Sequence, residues 1–351
     1  MSSSPHIQSI CILRLSAIGD VCHAVASVQA IQRQYPSAKI TWVIGKIEAM
    51  LLADLPGVRF VVFDKKQGWQ AYRQLKKDLP EKFDVLLHMQ VALRANIAAF
   101  FIKAKRKIGF ASHLSKELHS FAINESCEAV KQPHVLEGFQ AFAKQIGVPD
   151  FKPSWHIPVS ESDIDWAKQQ YTAGKPVFVI AAAASKAERN WLAERYAKVA
   201  DYAVDKGFEV ILSGGPTPME KTLAENIMRF CQHRVKNCVG QSSLKQLLAL
   251  LAKADIVLAP DTGPAHMAVT QGTPVIGLYA HSNPARTGPY GYQHFVVEVY
   301  HQHLKAQFSK GADKLKWGTR VKGENLMQDI STQSVIDMFD RVIESRGIKS
   351  E

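Results

Sequence analysis

The sequence predicts an α/β protein built from two doubly wound parallel sheets that face a central cleft. Three observations predict this fold class. Apolar segments alternate with amphipathic ones, the alternation runs through the chain twice, and prolines gather where it is interrupted. Such alternation is typical of parallel sheets covered by helices on both faces. The 351 residues are also long for one hydrophobic core and sufficient for two.

The first series of elements opens with a short apolar run that predicts a buried strand. Val25, Val28 and Ile31 then recur at helical spacing. The same alternation continues through the first half of the chain. We predict strands at Ile10–Leu15, Lys39–Ile44, Val58–Phe63, Phe83–Leu87 and Arg106–Phe110, and helices at Ala24–Tyr35, Ala92–Lys103 and His134–Ile146.

Prolines interrupt the pattern after Gly147, at Pro149, Pro153, Pro158 and Pro176, so we place the domain junction there. A second series of elements follows. Its predicted strands are Val177–Ala183, Phe208–Leu212, Asp255–Ala259 and Val275–Tyr279, and its predicted helices are Leu192–Asp205, Met219–Phe230, Leu244–Ala252 and Thr332–Ile343. We therefore expect domains at residues 1–155 and 156–330, followed by a C-terminal helix and tail at 331–351.

The composition indicates a globular protein that either has an anionic partner or is simply a basic soluble protein without one. The formal net charge is +11, which attracts nucleic acid, a phospholipid surface or a phosphorylated substrate. No apolar run reaches the ~18 residues that cross a bilayer, and the polar start through Ser9 does not resemble a signal peptide. Five cysteines without a C-x-x-C pair argue against a disulfide framework, so a cytoplasmic location is expected.

The turn after the first strand, Arg14 to Asp20, holds the first candidate for chemistry. A strand-end turn with one glycine that opens a helix exposes N–H groups at a positive helix terminus. Asp20 either caps this helix or faces the cleft as a general base, and the residues alone leave both open. The turn has no G-x-G-x-x-G, which disfavours dinucleotide binding by the usual fingerprint.

A second polar turn, Ala259 to His266, also follows a strand and opens a helix. Asp261 or Thr262 suits the N-cap, and Gly263 lets a ligand approach the backbone. Free N–H groups at such a terminus suit a diphosphate. His266 either faces the same ligand or is a core histidine bonded to the backbone.

A third turn carries Ser185, Lys186 and Arg189 after the first strand of the second half. A hydroxyl beside two cations beyond a strand end favours phosphate binding. The structural alternative is a solvated loop with Trp191 as an anchor in the core.

With these segments in place, the chain resembles glycosyltransferase family 9, the lipopolysaccharide heptosyltransferases, over roughly Ile10 to Tyr290. The resemblance implies a GT-B fold with two Rossmann-like domains, the acceptor in the N-terminal one and the donor in the C-terminal one, without metal or cofactor. The matching residues are Ser16-Ala17-Ile18-Gly19-Asp20-Val21, Gln90 with Arg94, His134 with Glu137, and Asp261-Thr262-Gly263 followed by His266.

The resemblance also implies a reaction, in which ADP-activated heptose is transferred to Kdo, or to phosphorylated Kdo, of the lipid A-linked inner core of lipopolysaccharide. It implies a peripheral enzyme at the cytoplasmic face of the inner membrane, with Asp20 as the catalytic base. The implied donor-binding residues are Ser185, Lys186, Arg189, Glu220, Asp261, Thr262, Gly263 and His266, and the implied acceptor-binding residues are Ser16, Gly19, Gln90 and Arg94. Since no second carboxylate is obviously paired with Asp20, we expect inversion by single displacement.

Three positions depart from the family pattern and bear on the acceptor more than on the donor. Arg189 stands where lysine is common, His88 replaces an acidic residue before Gln90, and Val91 replaces the glycine after it. Two other functions stay open. A nucleotide-sugar epimerase shares the two-domain architecture but needs no acceptor. A nucleic-acid binder is suggested by charge alone, and the sequence has no basic stripe interleaved with aromatics.

The sequence contains two further patterns that indicate a function less strongly. Asp163-Ile164-Asp165 matches the D-x-D of metal-dependent sugar transferases, but its position just before a helix favours an N-terminal charge cluster, so no metal site is predicted. The basic run from Lys103 to Lys107 is either a solvated helix end or part of an acceptor or membrane surface. In the second case, neutralising Lys105, Arg106 and Lys107 weakens acceptor use and vesicle binding.

Overall fold

The computed structural model describes residues 6–111, 119–128, 130–131, 133–308 and 315–348. The chain divides into two compact units, Met1–Pro158 and Val159–Glu351. Residues 1–5 of the polar N-terminus and 349–351 of the predicted tail lie outside the described residues. The assignment of acceptor and donor to the two units stays a prediction.

The first unit is a six-stranded sheet in the order β3-β2-β1-β4-β5-β6, and every pair in it is parallel. Its strands are β1 (Ser9–Leu13), β2 (Lys39–Gly45), β3 (Val58–Phe63), β4 (Lys82–His88), β5 (Lys103–Gly109) and β6 (Glu125–Ser126). Its helices are α1 (Ile18–Gln34), α2 (Lys46–Leu52), α3 (Trp69–Asp78), α4 (Leu93–Phe101) and α5 (Val135–Gln145), with 3-10 turns at Lys65–Gln67 and His119–Ala122.

The second unit repeats this arrangement with strands in the order β12-β11-β10-β7-β8-β9, again all parallel. Its strands are β7 (Val177–Ile180), β8 (Glu209–Leu212), β9 (Lys236–Asn237), β10 (Ile256–Pro260), β11 (Val275–Tyr279) and β12 (Val296–Glu298). Its helices are α6 (Glu161–Lys168), α7 (Ala193–Asp205), α8 (Pro218–Phe230), α9 (Leu244–Lys253), α10 (Gly263–Thr270), α11 (Pro284–Thr287), α12 (Tyr300–Gln307) and α13 (Thr332–Arg346). The predicted class, two Rossmann-like doubly wound sheets, is confirmed.

Helices cover each sheet and pack against it with apolar side chains. The central strands carry continuous apolar runs, as expected for strands covered on both faces, and β10 and β11 are buried throughout. In α13, Phe339 packs edge-on against Phe178 of β7 and against Phe208. Burying a phenylalanine contributes about 1.5–3 kcal/mol. The predicted C-terminal helix is therefore part of the core of the second unit.

The basic run Lys103–Lys107 is a strand, and the interpretation as a helix end is wrong. Helix α4 ends at Phe101, and β5 begins at Lys103. Three of its four cations fit a strand at this place because a neighbouring segment supplies each with an oxygen partner. Lys105 Nζ lies 2.8 Å from Asp84 Oδ1, Arg106 donates to both carboxylate oxygens of Glu125 at 2.8 and 2.7 Å, and Lys107 Nζ donates to Ala99 O at 2.8 Å.

The strand order reverses between β1 and β4 in the first sheet and between β7 and β10 in the second. Ligands of doubly wound sheets bind beyond the carboxyl ends of the strands at such a switch point. The turns that carry Asp20, Gln90, Arg189 and Asp261 all follow these four strands. In the described part of the chain, no helix is long and apolar enough to cross a membrane.

Candidate functional site

The loop after β1 is held by its neighbours on both sides. Arg14 N–H donates to Val43 O at 3.2 Å, and Gly45 N–H donates to Leu15 O at 2.9 Å. From the β4 side, Gln90 Oε1 accepts from Leu15 N–H at 2.7 Å, and its Nε2 lies 3.4 Å from Ser16 Oγ. Gln90, predicted to bind the acceptor, thus also fixes the backbone that leads to Asp20.

Asp20 lies in the first turn of α1, with its side chain 31% exposed. Its Oδ2 accepts from Ala17 N–H at 3.2 Å and pairs with the Arg14 guanidinium. Arg14 is itself held in place, since its Nη1 donates to Met89 O at 2.6 Å and its guanidinium lies 5.3 Å from the centre of the Phe139 ring. The carboxylate therefore caps the helix in part and still reaches solvent at the switch point.

The other predicted acceptor residues lie in two different places. Ser16 and Gly19 lie in the same loop and first helical turn as Asp20, with Gly19 buried. Arg94 is exposed at the start of α4, where Tyr72 Oη donates to its backbone carbonyl at 3.5 Å. Arg94 is thus at the correct edge of the sheet, but no contact places it beside Asp20.

A second carboxyl group at this edge, Glu48, escaped the sequence analysis. It lies in the first turn of α2 and is 9% exposed. Its Oε2 lies so close to Gly45 that a Cβ there would approach it to 2.4 Å. Burial raises the pKa of Glu48, opposed by Lys65 and Arg14 and reinforced by Asp20. No periodicity or motif singled out this glutamate, because it looks like an ordinary residue at the start of a helix.

Behind Gln90, two histidines are joined through one amide. His88 Nε2 and His119 Nδ1 both donate to Asn96 Oδ1, at 2.8 and 2.9 Å, and His119 Nε2 accepts from Phe110 N–H at 3.1 Å. Burial lowers the pKa of His88 to about 3 and that of His119 to about 4. The unusual His88 is therefore a neutral, buried link between β4, α4 and the 3-10 turn after β5.

In the second unit, Asp261 follows β10 and lies among hydroxyl groups. Ser282 Oγ donates to its Oδ2 at 2.6 Å, Thr287 Oγ1 lies 3.5 Å from the same atom, and His266 Nε2 lies 3.8 Å from Oδ1. Burial acts to raise the pKa of Asp261, but His266, Ser282 and Arg189 outweigh it and lower the pKa below its usual value. Asp261 is thus a half-buried, ionised acceptor, and His266 faces it.

Helix α10 begins at Gly263 without a side-chain cap. Thr262 occupies the N-cap position, but its Oγ1 points to Ala183 O at 3.4 Å. The first N–H groups of a helix have no partner within the helix and carry partial positive charge. The predicted diphosphate position is therefore a helix terminus whose N–H groups no cap covers.

The loop after β7 brings one of its two cations, Arg189, close to Asp261. Arg189 is half-buried and close enough to influence Asp261, and its Nε is buried with no hydrogen-bond partner among the described residues. Ser185 and Lys186 are exposed in the same loop, with Lys186 Nζ 3.6 Å from Glu188 Oε1. His281 Nε2, from beyond β11, donates to Glu188 O at 2.9 Å and ties this loop down.

Glu220 has a structural task that the sequence did not predict. It closes a capping box with Thr217 at the start of α8, accepting from Thr217 Oγ1 at 2.7 Å and from Gly215 N–H at 3.0 Å. A Cβ on Gly215 would lie 2.8 Å from Glu220 Oε2, so the glycine permits this contact. A role of Glu220 toward ribose remains a prediction.

The turn after β11 was not among the predicted site segments. Ser282 and Thr287 both approach Asp261, and His281 holds the β7 loop. The signal was available, because a polar run follows β11 as it follows β7 and β10. We did not single it out, since Ser-Asn-Pro is also an ordinary helix start.

The remaining candidates do not join a site. Asp163 and Asp165 lie in α6, where Ser160 Oγ accepts from Asp163 N–H and Asp165 pairs with Lys168. Among the described residues, no group of three or more histidine, cysteine, aspartate or glutamate side chains could hold a metal ion. All five cysteines are free.

Known proteins resemble this chain in sequence and in fold. Residues 72–317 match the sequence model of a family described as glycosyltransferase family 9 (heptosyltransferase). The lipopolysaccharide core heptosyltransferase OpsX of Haemophilus influenzae is 45% identical over 95% of this chain and 97% of its own length.

Two solved structures show the same fold. A family 9 glycosyl transferase from Veillonella parvula has a TM-score of 0.80 and 21% identity, covering 96% of this chain and 97% of its own. The E. coli heptosyltransferase WaaC, solved with ADP, has a TM-score of 0.75 and 18% identity, covering 95% and 100%. The GT-B architecture is thereby confirmed.

Proposed function

The chain belongs to glycosyltransferase family 9, the heptosyltransferases, and on that basis we propose that it transfers heptose from ADP-heptose to the Kdo of the lipopolysaccharide inner core. The observation that carries the proposal is the contrast between the two switch points. The first holds an accessible carboxylate, Asp20, and the second holds an uncapped helix terminus beside Arg189. Glycosyl transfer needs a base at the nucleophile and stabilisation of the departing diphosphate.

The donor diphosphate binds at the start of α10. Gly263 leaves room for its oxygens near the N–H groups that Thr262 does not cap. The unpartnered Nε–H of Arg189 supplies a charge-assisted hydrogen bond, and Ser185 and Lys186 cover the outer side. Asp261 and His266 lie beside the transferred sugar, and Glu220 accepts from the ribose hydroxyls through lone pairs that its capping contacts leave open. The E. coli relative was solved with ADP, which agrees with an adenine nucleotide as donor.

The acceptor binds in the first unit, where Ser16, Gly19 and Gln90 lie at the loop of Asp20 and Arg94 lies at the same edge of the sheet. Asp20 takes the proton from the attacking hydroxyl of Kdo, or of phosphorylated Kdo, as general base. Glu48 is a poorer candidate for that role, because its burial disfavours the charged form. With Asp20 as base and no carboxylate assigned as nucleophile, attack is direct and the anomeric configuration inverts.

The diphosphate charge is balanced by protein groups, so the reaction runs without a metal ion. Helix dipole, Arg189 and Lys186 together supply the positive charge that a divalent cation supplies in metal-dependent transferases. The enzyme acts at the cytoplasmic face of the inner membrane, where its lipid-linked acceptor is held.

The test combines purified protein, ADP-heptose and a deacylated Kdo acceptor in the presence of EDTA. The expected product is the acceptor carrying one heptose, with ADP released and the rate unchanged by the chelator. Activity lost in EDTA and restored by magnesium contradicts the metal-free mechanism. Consumption of ADP-heptose without any acceptor favours the epimerase alternative. Retention of the anomeric configuration, read from the one-bond carbon–proton NMR coupling at the anomeric carbon of the product, contradicts direct displacement.

A further inference from the structure

Two helices of the first unit start with a cation next to an exposed apolar side chain, and a third helix follows a turn that carries two lysines. In α2 the pair is Lys46 with Ile47, and in α4 it is Arg94 with Leu93. Before α3, two exposed lysines on a 3-10 turn lead to Trp69. Ile47 is 57% exposed, Trp69 60% and Leu93 49%. We call this surface the rim and define it as Lys46, Ile47, Lys65, Lys66, Trp69 and Leu93.

The rim lies at the edge of the sheet that carries Asp20. Its helices follow β2, β3 and β4, and Asp20 follows β1, which lies between β2 and β4 in the sheet. In a parallel sheet the carboxyl ends of all strands meet at one edge. The rim and the catalytic carboxylate therefore lie at the same edge of the first unit, with rim helices on both sides of Asp20.

Stability of the fold does not explain the rim. The N-terminus of a helix is its positive end, so cations there are unfavourable, and neither α3 nor α4 has an acidic residue in its first turn. Large apolar side chains exposed together at one edge usually mark an interaction surface. Trp69 is supported from beneath, with Tyr72 and Phe101 at centroid distances of 4.9 and 6.1 Å, which holds its indole at the surface.

Cations interleaved with tryptophan, leucine and isoleucine match the chemistry of a membrane surface. Indole rings favour the headgroup level, aliphatic side chains enter the acyl boundary, and lysines lie against anionic headgroups. We propose that the rim docks the first unit onto an anionic phospholipid bilayer and so presents Asp20 to a lipid-linked acceptor. The second part of this proposal, the lipid-linked acceptor, rests on the proposed function. The contact with the bilayer does not, because it needs no substrate.

The first experiment measures co-sedimentation of the full chain with vesicles of phosphatidylglycerol and phosphatidylcholine that contain no acceptor. Wild-type protein should bind, and pure phosphatidylcholine should bind it less. The double variant Lys65→Ala/Lys66→Ala should bind about 25-fold more weakly at low salt, about 5-fold per lysine. The matched control is Lys76→Ala/Lys77→Ala, which removes two exposed lysines at the other end of α3. It should bind nearly as well as wild type.

The apolar part of the rim is tested by Ile47→Ser and, separately, by Trp69→Ser. Both should weaken vesicle binding at high salt as well as low, whereas Phe230→Ser, at an exposed phenylalanine of α8, should not. Ile47→Ser keeps the test decisive if Trp69→Ser unfolds the protein. Equal binding by rim and control variants, or no binding of wild type to acceptor-free vesicles, overturns the proposal. A rim variant that changes the oligomeric state but not vesicle binding also overturns it, and identifies a second copy as the partner.

Transfer assays separate this proposal from the function itself. With a deacylated, water-soluble acceptor, Ile47→Ser should turn over like wild type. With the lipid acceptor in vesicles, it should be slower by the same factor as its loss of binding. Loss of turnover on the soluble acceptor would mean that Ile47 belongs to the acceptor site, and the docking role would fall. If wild type binds vesicles but transfers no heptose to either acceptor, the proposed function fails while the docking surface stands.

Discussion

Arg14 and Asp20 form an ion pair across the turn that joins β1 to α1, and the arginine is the more buried partner. Arg14 is fixed from three directions, by the Asp20 carboxylate, by the Met89 carbonyl and by the Phe139 ring. Asp20 in turn accepts from Ala17 N–H. The orientation of the proposed base is therefore set by Arg14, which lies in the loop just before the helix that carries Asp20.

Replacing Arg14 by lysine should lower kcat by about 10-fold or more and leave the Kd for donor unchanged. Lysine keeps the charge but cannot make the planar, two-pronged contact with Asp20 and Met89 O at once. Because a hydrogen bond to a charged group contributes about 1.5–3 kcal/mol, the free energy of unfolding should also fall by that order. Steady-state kinetics and urea unfolding on the same preparation check both. Unchanged kcat in a destabilised variant would leave Arg14 a purely structural residue.

Arg189→Ala should weaken ADP-heptose binding by about 10- to 100-fold, because it removes a charge-assisted hydrogen bond to a diphosphate. The matched control is Lys186→Ala in the same loop. Lys186 is exposed and paired with Glu188, so its loss should change donor affinity only a few-fold. Isothermal titration with ADP, with and without the sugar, measures both variants. Equal effects at the two positions would argue against a specific contact from Arg189.

Stability should fall as the pH drops from about 6.5 to about 4. Burial lowers the pKa of His88 to about 3 and that of His119 to about 4, against 6.5 when unfolded. Within this window the unfolded chain binds more protons than the folded one, so each histidine removes about 1.4 kcal/mol of stability per pH unit. Above pH 6.5 the contribution is complete. We expect the free energy of unfolding, measured in urea between pH 7.5 and 4.5, to depend less steeply on pH in His119→Gln than in wild type. An unchanged dependence on pH would exclude His119 as a source of the acid sensitivity.

Arg106→Ala should reduce the free energy of unfolding by about 1–3 kcal/mol, since it breaks a forked, half-buried pair with Glu125. Lys103→Ala, at an exposed position of the same strand, is the control and should stay within about 0.5 kcal/mol. Vesicle binding by a folded Arg106 variant should match that of wild type. A loss of vesicle binding without a loss of stability would restore the earlier interpretation of the basic run as a membrane surface.

Much of the fold was predictable because its signals are local. Buried parallel strands appear as continuous apolar runs, so Val58–Phe63 and Val275–Tyr279 were predicted at their observed bounds. The start of α1 was placed six residues late, since the polar turn before it masks the helix. The start of strand β5 was assigned to a helix, because a run of cations looks like a solvated helix end when no partner is close in sequence. Its partners, Asp84 and Glu125, are distant in sequence.

Four of the candidate-site positions were predictable because a polar turn follows the strand before each of them, although the same signal after β11 was not used. Asp20, Gln90, Arg189 and Asp261 all obey that rule. The links between them were not, because the contacts of Arg14 with Met89 O and of Ser282 with Asp261 join separate segments. Glu48 was missed for the same reason, since only the fold turns it toward Gly45 and the loop of Asp20.

The measurement that tests the account most directly is turnover and donor binding by Asp20→Asn, with Asp20→Ala beside it. Asparagine keeps the shape of the side chain and removes the base. Transfer to the soluble Kdo acceptor should fall by ~10²–10⁴ in kcat, the usual contribution of a general base. The Kd for ADP-heptose should stay within a few-fold of wild type, because the donor is assigned to the other unit. Turnover near the wild-type rate would remove Asp20 from the mechanism, and a large loss of donor affinity would contradict the division of donor and acceptor between the two units.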